Sequence, residues 1–355
     1  MEEKNNFISL TRPRLSLRRF AFYFITLAAL IVIASKFSEL KLLKEIFLKS
    51  NIYWLVGVII TQFLAYYSVA LNYRDVLRVK DLEVSVHELF PVTFAVQFLN
   101  QALPSATLSG QAFFIQYLKK YKLSIAEGIG RAIIELMTLF SAFGIFFIIS
   151  SLLMFHSGAL AIHPEINLLI YLFLFFGIIF LGIFFILQKR HRGRLTHWII
   201  RRLHGYFEKN HKNNPTEHVA MILDQFRSNV NLEVLKKHQK YFFSAMFWQG
   251  VNLLLNIITL YLIALAIDMP ISFSVAFIAL TLTKFVSMVS FVPGAFGVFE
   301  GSMTLILISF GTPASAAFAM TIILRAFTFW FPMPIGWILF KRISRRQELD
   351  SPDLS

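Results

Sequence analysis

The sequence predicts an all-α polytopic membrane protein with about eight transmembrane helices, one re-entrant hairpin and a weak internal repeat. Three observations carry this. Apolar runs long enough to cross a ~30 Å hydrocarbon core recur along the chain. Overall, 57% of its residues are hydrophobic and only 15% are charged. The runs do not alternate with the two-residue period of a barrel strand. The basic residues behind the net charge of +14 gather between the runs, as they do in the cytoplasmic loops of membrane proteins.

The same basic surplus excludes little else. No nucleic-acid-reading module accompanies it, and basic loops beside a membrane attract anionic lipid headgroups. The chain has no cysteine, which removes disulfides, thiol catalysis and thiolate metal sites.

Residues 1–19 read as a basic cytoplasmic N-terminus, followed by an apolar run from Phe20. No small-residue cleavage site follows, so an uncleaved first helix over 20–36 is expected. Residues 37–51 read as an amphipathic interfacial stretch. A second span covers 52–71, and Arg74, Arg78 and Lys80 lie just beyond it.

Residues 89–118 lie between two charged loops and contain Pro91, Asn100, Gln101, Pro104, Gly110 and Gln111. Each half has about 15 residues, roughly 22 Å of helix, too short for the core. A re-entrant hairpin with its tip near Leu103–Ser105 is therefore expected. A long run over 127–155 follows, then a loop at 156–166 without Lys or Arg, then a returning span over 167–187.

The segment 188–240 has twelve Lys or Arg against four Asp or Glu. It is too short and too basic for an enzyme domain and reads as one or two cytoplasmic helices. Its His197, His204, His211 and His218 recur every seven residues. Ligands two helical turns apart do not share one metal ion, so no metal is expected. Further spans are expected over 241–267, 271–290, 293–310 and 313–340, with 341–355 as a basic cytoplasmic tail. The membrane domain thus runs over 20–340.

The stretch Phe291 to Gly301 organises the C-terminal third. Pro293 lacks a backbone N–H, and Gly294 and Gly297 permit backbone shapes that other residues resist. A helix is expected to restart there, with Glu300 in its first turns. An earlier stretch echoes it: LPSATLSGQAFFI, from Leu103, precedes a helix bearing Arg131, and VPGAFGVFEGSMTLI precedes one bearing Arg325. The helix breaks are assigned to Pro104, Gly110 and Gln111 in the first stretch, and to Pro293, Gly294, Gly297 and Gly301 in the second. Broken helices at a repeat interface are how many transporters build a midplane site.

Arg131, Glu135, Lys284, Glu300 and Arg325 fall inside expected spans. Each central charge costs about 2.5–3.5 kcal/mol unless paired or wetted. Arg131 and Glu135 are four apart, on one helical face. Glu300 has no local cation, so Lys284 or Arg325 must reach it from another helix. Together they suggest a polar cavity suited to a phosphate-bearing headgroup. No Ser–His–carboxylate set and no nucleotide loop is present, so neither catalysis nor a cofactor is expected.

At these residues the chain resembles the flippase-like membrane region of lysylphosphatidylglycerol synthases, over about 20–340. Pro293-Gly294-x-x-Gly297-x-x-Glu300 is the more specific motif. Pro104 through Gly110, then Arg131 and Glu135, match in order. Gln111 stands where family members often carry an acidic residue. The resemblance implies movement of phospholipids or lipid-linked intermediates between leaflets of a bacterial inner membrane. The cytoplasmic synthase domain is not expected here, since the chain ends at Ser355. A scaffold for a membrane glycosyltransferase or aminoacyl-phospholipid synthase, docking through 188–240, is the alternative.

Overall fold

A computed structural model describes residues 50–103, 108–156, 237–290 and 292–349. The expected helix at 20–36, the span at 167–187, nearly all of the 188–240 segment with its histidines, and Pro104 lie outside the described residues. The described residues form helices and no strands.

The helices are α1 (Ile52–Arg78), α2 (Val86–Ala102), α3 (Leu108–Leu118), α4 (Ile125–His156), α5 (Gln239–Ala266), α6 (Phe273–Val289), α7 (Val298–Ser309), α8 (Ala314–Arg325) and α9 (Pro332–Leu349). One π-helical turn, Ala326–Trp330, joins α8 to α9.

α1 and α5 are antiparallel along their length. The Asn51 N–H donates to the Ala266 carbonyl at one end (2.8 Å). Thr61 and Thr259 meet in the middle (2.9 Å), and Ser244 donates to Asp75 near the other end (2.5 Å). Asp75 is buried and also accepts from Arg74 Nε at 2.8 Å. This polar lock went unnoticed in the sequence. Buried polar groups need such partners, since an unmet one costs about 1–3 kcal/mol.

The basic residues mark one end of the bundle. Arg78 lies over the Tyr241 ring. Arg131 reaches the Lys80 carbonyl, Lys120 pairs with Glu88, and Gln347 reaches the Gln116 carbonyl. The C-termini of α1, α3 and α9 and the N-termini of α2, α4 and α5 therefore converge there. At this end Lys80 is held down to about 8, by burial and then by the Arg131 guanidinium.

α2 and α3 form a hairpin entering from the basic end. Ser109 donates to the Leu99 carbonyl (2.8 Å) and the Gly110 N–H to Asn100 Oδ1 (2.8 Å). Gly110 is thus inside α3 and marks close packing, where a Cβ would collide with Asn100 and Val96. Gln111 likewise lies within α3. Neither residue is therefore a helix break.

α6 and α7 form a second hairpin that enters from the opposite end. Tyr261 of α5 packs on Phe273 at the start of α6. Thr283 of α6 meets Met303 of α7 (3.7 Å), and Thr304 of α7 meets Thr321 of α8 (3.2 Å). The segments 271–290 and 293–310 were expected as full crossings. Their helices have 17 and 12 residues, about 25 and 18 Å, which falls short of the ~30 Å core. They are two arms of a second hairpin. Four described helices are long and apolar enough to cross: Ile52–Arg78, Glu127–His156, Gln239–Ala266 and Ala314–Gln347.

Each hairpin is followed by a crossing helix, and the two units insert from opposite ends. Exposed apolar side chains such as Ile59, Phe63, Ile148, Leu152 and Leu305 face outward from the bundle. Lipid tails, as apolar as these side chains, are the natural solvent for such a surface.

Gly336 lets α9 pass close to α2. A Cβ there would meet the Phe94 carbonyl at 2.5 Å and Phe98 Cβ at 2.6 Å. Overpacking of this kind costs about 1–3 kcal/mol. Gly336→Ala is therefore expected to lower the thermal midpoint of the detergent-solubilised protein, and an unchanged midpoint would show that the two helices are not in contact.

Candidate functional site

The interrupted segment between α6 and α7 sits against the tip of the first hairpin. Gly294 has φ +56° and Gly297 φ +76°, values that favour glycine. A Cβ on Gly294 would also strike the Phe329 ring at 2.6 Å and approach the Gln101 carbonyl at 3.3 Å. Pro293, Gly294 and Gly297 lie between α6 and α7. Gly301 is inside α7, with open space around it, so it is not a break.

Arg325, the last residue of α8, closes the break. Its Nε donates to Glu300 Oε1 at 2.6 Å, and an NH2 donates to the Gly294 carbonyl at 2.8 Å. The Gly297 N–H donates to Glu300 Oε2 at 2.7 Å. The Glu300 carboxylate thus accepts from the first orphan N–H of α7 and from the guanidinium. That favours a negative charge at a helix N-terminus. The guanidinium also lies 4.2 Å from the Phe329 ring centroid and 4.9 Å from that of Phe299. Planar, fork-shaped arginine suits such a bridging, stacked place and lysine does not.

Beside this clamp lies a cavity of about 390 Å³. Residues from α1, α2, α3, α4, α5, α6, α8 and both hairpin tips line it. Glu135 of α4 is in its wall, accepting from Gln111 Nε2 (2.6 Å) and Gln249 Nε2 (3.1 Å). Lys284 of α6 lines it too, and among the described residues no group lies within hydrogen-bond or ion-pair distance of its ammonium. An unpaired cation in so apolar a setting calls for water or an anionic ligand.

A sequence profile described as the lysylphosphatidylglycerol synthase TM region matches residues 19–336. The chain belongs to that family. A relative described as a UPF0104 membrane protein, from Methanothermobacter thermautotrophicus, is 23% identical over 295 residues. That match covers 81% of this chain and 85% of the relative.

In this family member the expected site residues divide into two places. Glu135, Lys284 and Arg325 line the cavity, and Glu300 is tied to it through Arg325. Arg131 is elsewhere: its guanidinium donates to the Glu127 and Lys80 carbonyls toward the basic end (3.3 and 3.4 Å). Arg131 and Glu135 share a helical face, yet Glu135 is held by amides from α3 and α5 rather than by Arg131.

Apart from Asn100 and Gln101, noted only as polar residues of the first hairpin, the amides were missed in the sequence. Gln62, Gln97, Asn100, Gln101, Gln249, Asn252 and Asn256 all line the cavity. The signal was there in spacing. Gln249, Asn252 and Asn256 fall at successive spacings of three and four on a largely apolar helix, and Asn100 and Gln101 lie three and four residues after Gln97. Such spacing stacks polar groups on one face.

Breaking one partner of a desolvated ion pair exposes the other. Glu300→Gln and Arg325→Gln are each expected to destabilise the protein, and the double variant by less than their sum. A coupling of about 1–3 kcal/mol in a thermal double-mutant cycle fits the clamp, and additive effects would refute it.

Proposed function

We propose that the protein moves a phospholipid or lipid-linked intermediate between leaflets of the cytoplasmic membrane, without catalysing a covalent reaction. The basic end and both termini would face the cytoplasm, where Lys and Arg are retained. The carrying observation is the polar cavity at the meeting point of two oppositely inserted hairpins. Non-helical backbone persists at membrane depth only where protein or a wet cavity surrounds it. Inverted repeats with a midplane site are the common build of membrane transporters.

A headgroup would enter the cavity while its acyl chains stay among the outward apolar side chains. Lys284 and Arg325 would offset its negative charge. Part of the crossing barrier for a polar headgroup is its loss of water, and the amide lining would replace those hydrogen bonds. Exchange of access between the two ends would come from rocking one hairpin unit against the other. Family membership supports a membrane role of this kind.

Reconstituted vesicles with fluorescent lipid, assayed for leaflet sidedness, test the proposal. Wild-type protein should speed equilibration. Lys284→Gln and Arg325→Ala should slow it at least about tenfold, a barrier change near 1.4 kcal/mol. Lys341→Gln, outside the cavity, should not. Equal rates in all four samples would refute the site.

A further inference from the structure

We propose that Glu135 is a proton-binding site, and that its proton crosses the membrane together with the lipid. The proton site stands on the geometry around Glu135. Its coupling to the lipid rests on the translocation reading.

Glu135 is 4% exposed, within a helix long enough to cross and in the wall of the cavity. Neutral groups hold its carboxylate: Oε2 accepts from Gln111 of α3 and Oε1 from Gln249 of α5. Among the described residues no cation lies within ion-pair distance of it. Arg131, one turn away on α4, directs its guanidinium to the Glu127 and Lys80 carbonyls. α1 brings Tyr73, whose ring stacks on Phe114. α6 and α8 bring Lys284 and Arg325 to the same cavity, and Arg325 is bound to Glu300. A carboxylate without a cation is costly at membrane depth, and two amide bonds offset part of that cost. A proton removes the rest. A metal cation does not suit the place, because the amide N–H groups turn their positive ends toward the carboxylate.

Gln111 carries the mark of the protonated state. Its Oε1 belongs to the same amide that donates to Glu135, yet it is buried and has no partner among the described residues. An ionised carboxylate only accepts, so it cannot meet that oxygen. A protonated carboxyl donates, and a turn about the broad terminal torsion of Gln111 presents the oxygen to it. One amide thus serves both forms of the acid.

Charge balance links the proton to the lipid. With Arg325 and Glu300 paired, the remaining charges of the cavity wall are Lys284 and Glu135. They cancel while Glu135 is ionised. A proton on Glu135 leaves one positive charge, which a negative headgroup balances. Each then favours the binding of the other, as linkage requires. On the acidic side hydronium gives its proton to the carboxylate and leaves as water. On the alkaline side the carboxyl returns the proton to water or hydroxide, and the headgroup loses its counter-charge.

Infrared spectra of the purified full chain, recorded as the buffer is acidified, read the carbonyl stretch of a protonated carboxyl. The Lys284 ammonium and the Tyr73 phenol have no such band. Wild type minus Glu135→Gln should contain that band, and Gln111→Leu should shift it. Thermal melts confirm that each variant is folded. Coupling is read in vesicles holding labelled phosphatidylglycerol under a pH gradient. Wild type should concentrate the label in the leaflet on the alkaline side at least about fivefold, and reversing the gradient should reverse the accumulation. Glu135→Gln should show no accumulation, and Glu135→Asp should restore part of it. Absence of the Glu135 band at every pH where the protein is folded overturns the proton site. Lipid that equilibrates while ignoring the gradient leaves translocation standing and overturns the coupling. If no sample moves lipid, translocation and coupling fall together, and the infrared band alone decides the site.

Discussion

Arg325 holds the interrupted segment closed, and the rest of the site depends on that contact. A break in a helix at membrane depth frees backbone groups that lipid cannot satisfy. Here the Gly294 carbonyl accepts from the guanidinium and the Gly297 N–H donates to Glu300, which in turn accepts from Arg325. Two charges and two backbone groups thus satisfy one another. Aromatic faces from Phe299 and Phe329 lie over the guanidinium. The π-helical turn that follows Arg325 brings Phe329 against Gly294, and such turns commonly mark functional places in helices.

The clamp also sits where the ends of two short hairpins come together inside the bundle. The described residues beside the two breaks meet: the Gln101 side chain reaches the Thr328 carbonyl, and the Gln101 carbonyl abuts Gly294. The cavity beside them collects what neither hairpin can bury alone. Its polar lining is mostly neutral amide, with few charges, so the inserted chain avoids the larger penalty of several unpaired ions.

Much of this was legible in the sequence. The apolar runs marked the crossing helices, and the halves of 89–118 were too short to span. The proline, glycines and carboxylate of 293–300 marked the second break, and the lack of a local cation sent Glu300 to a distant partner. The orientation of the second hairpin was not legible. Its arms are largely apolar, and a 17-residue helix of that kind reads as a span until its end is seen against Gln101. Nor was the fate of Arg131 and Glu135. Helical spacing makes them neighbours, but carbonyls at the basic end and amides from α3 and α5 meet them better than they meet each other. The amide lining was overlooked because single Asn and Gln residues look incidental when each helix is read by itself.

The native chain has no cysteine, so single-cysteine variants report depth and side without further changes. Arg78→Cys, Asp268→Cys, Ser290→Cys and Gly311→Cys, labelled in sealed oriented vesicles with an impermeant maleimide, probe the inverted hairpins most directly. Labelling of Asp268→Cys and Gly311→Cys from one side, of Arg78→Cys from the other, and poor labelling of Ser290→Cys from the Arg78 side would fit two hairpins whose tips meet within the membrane. Labelling of Ser290→Cys as fast as Arg78→Cys, from that same side, would make α6 and α7 two full crossings and contradict it.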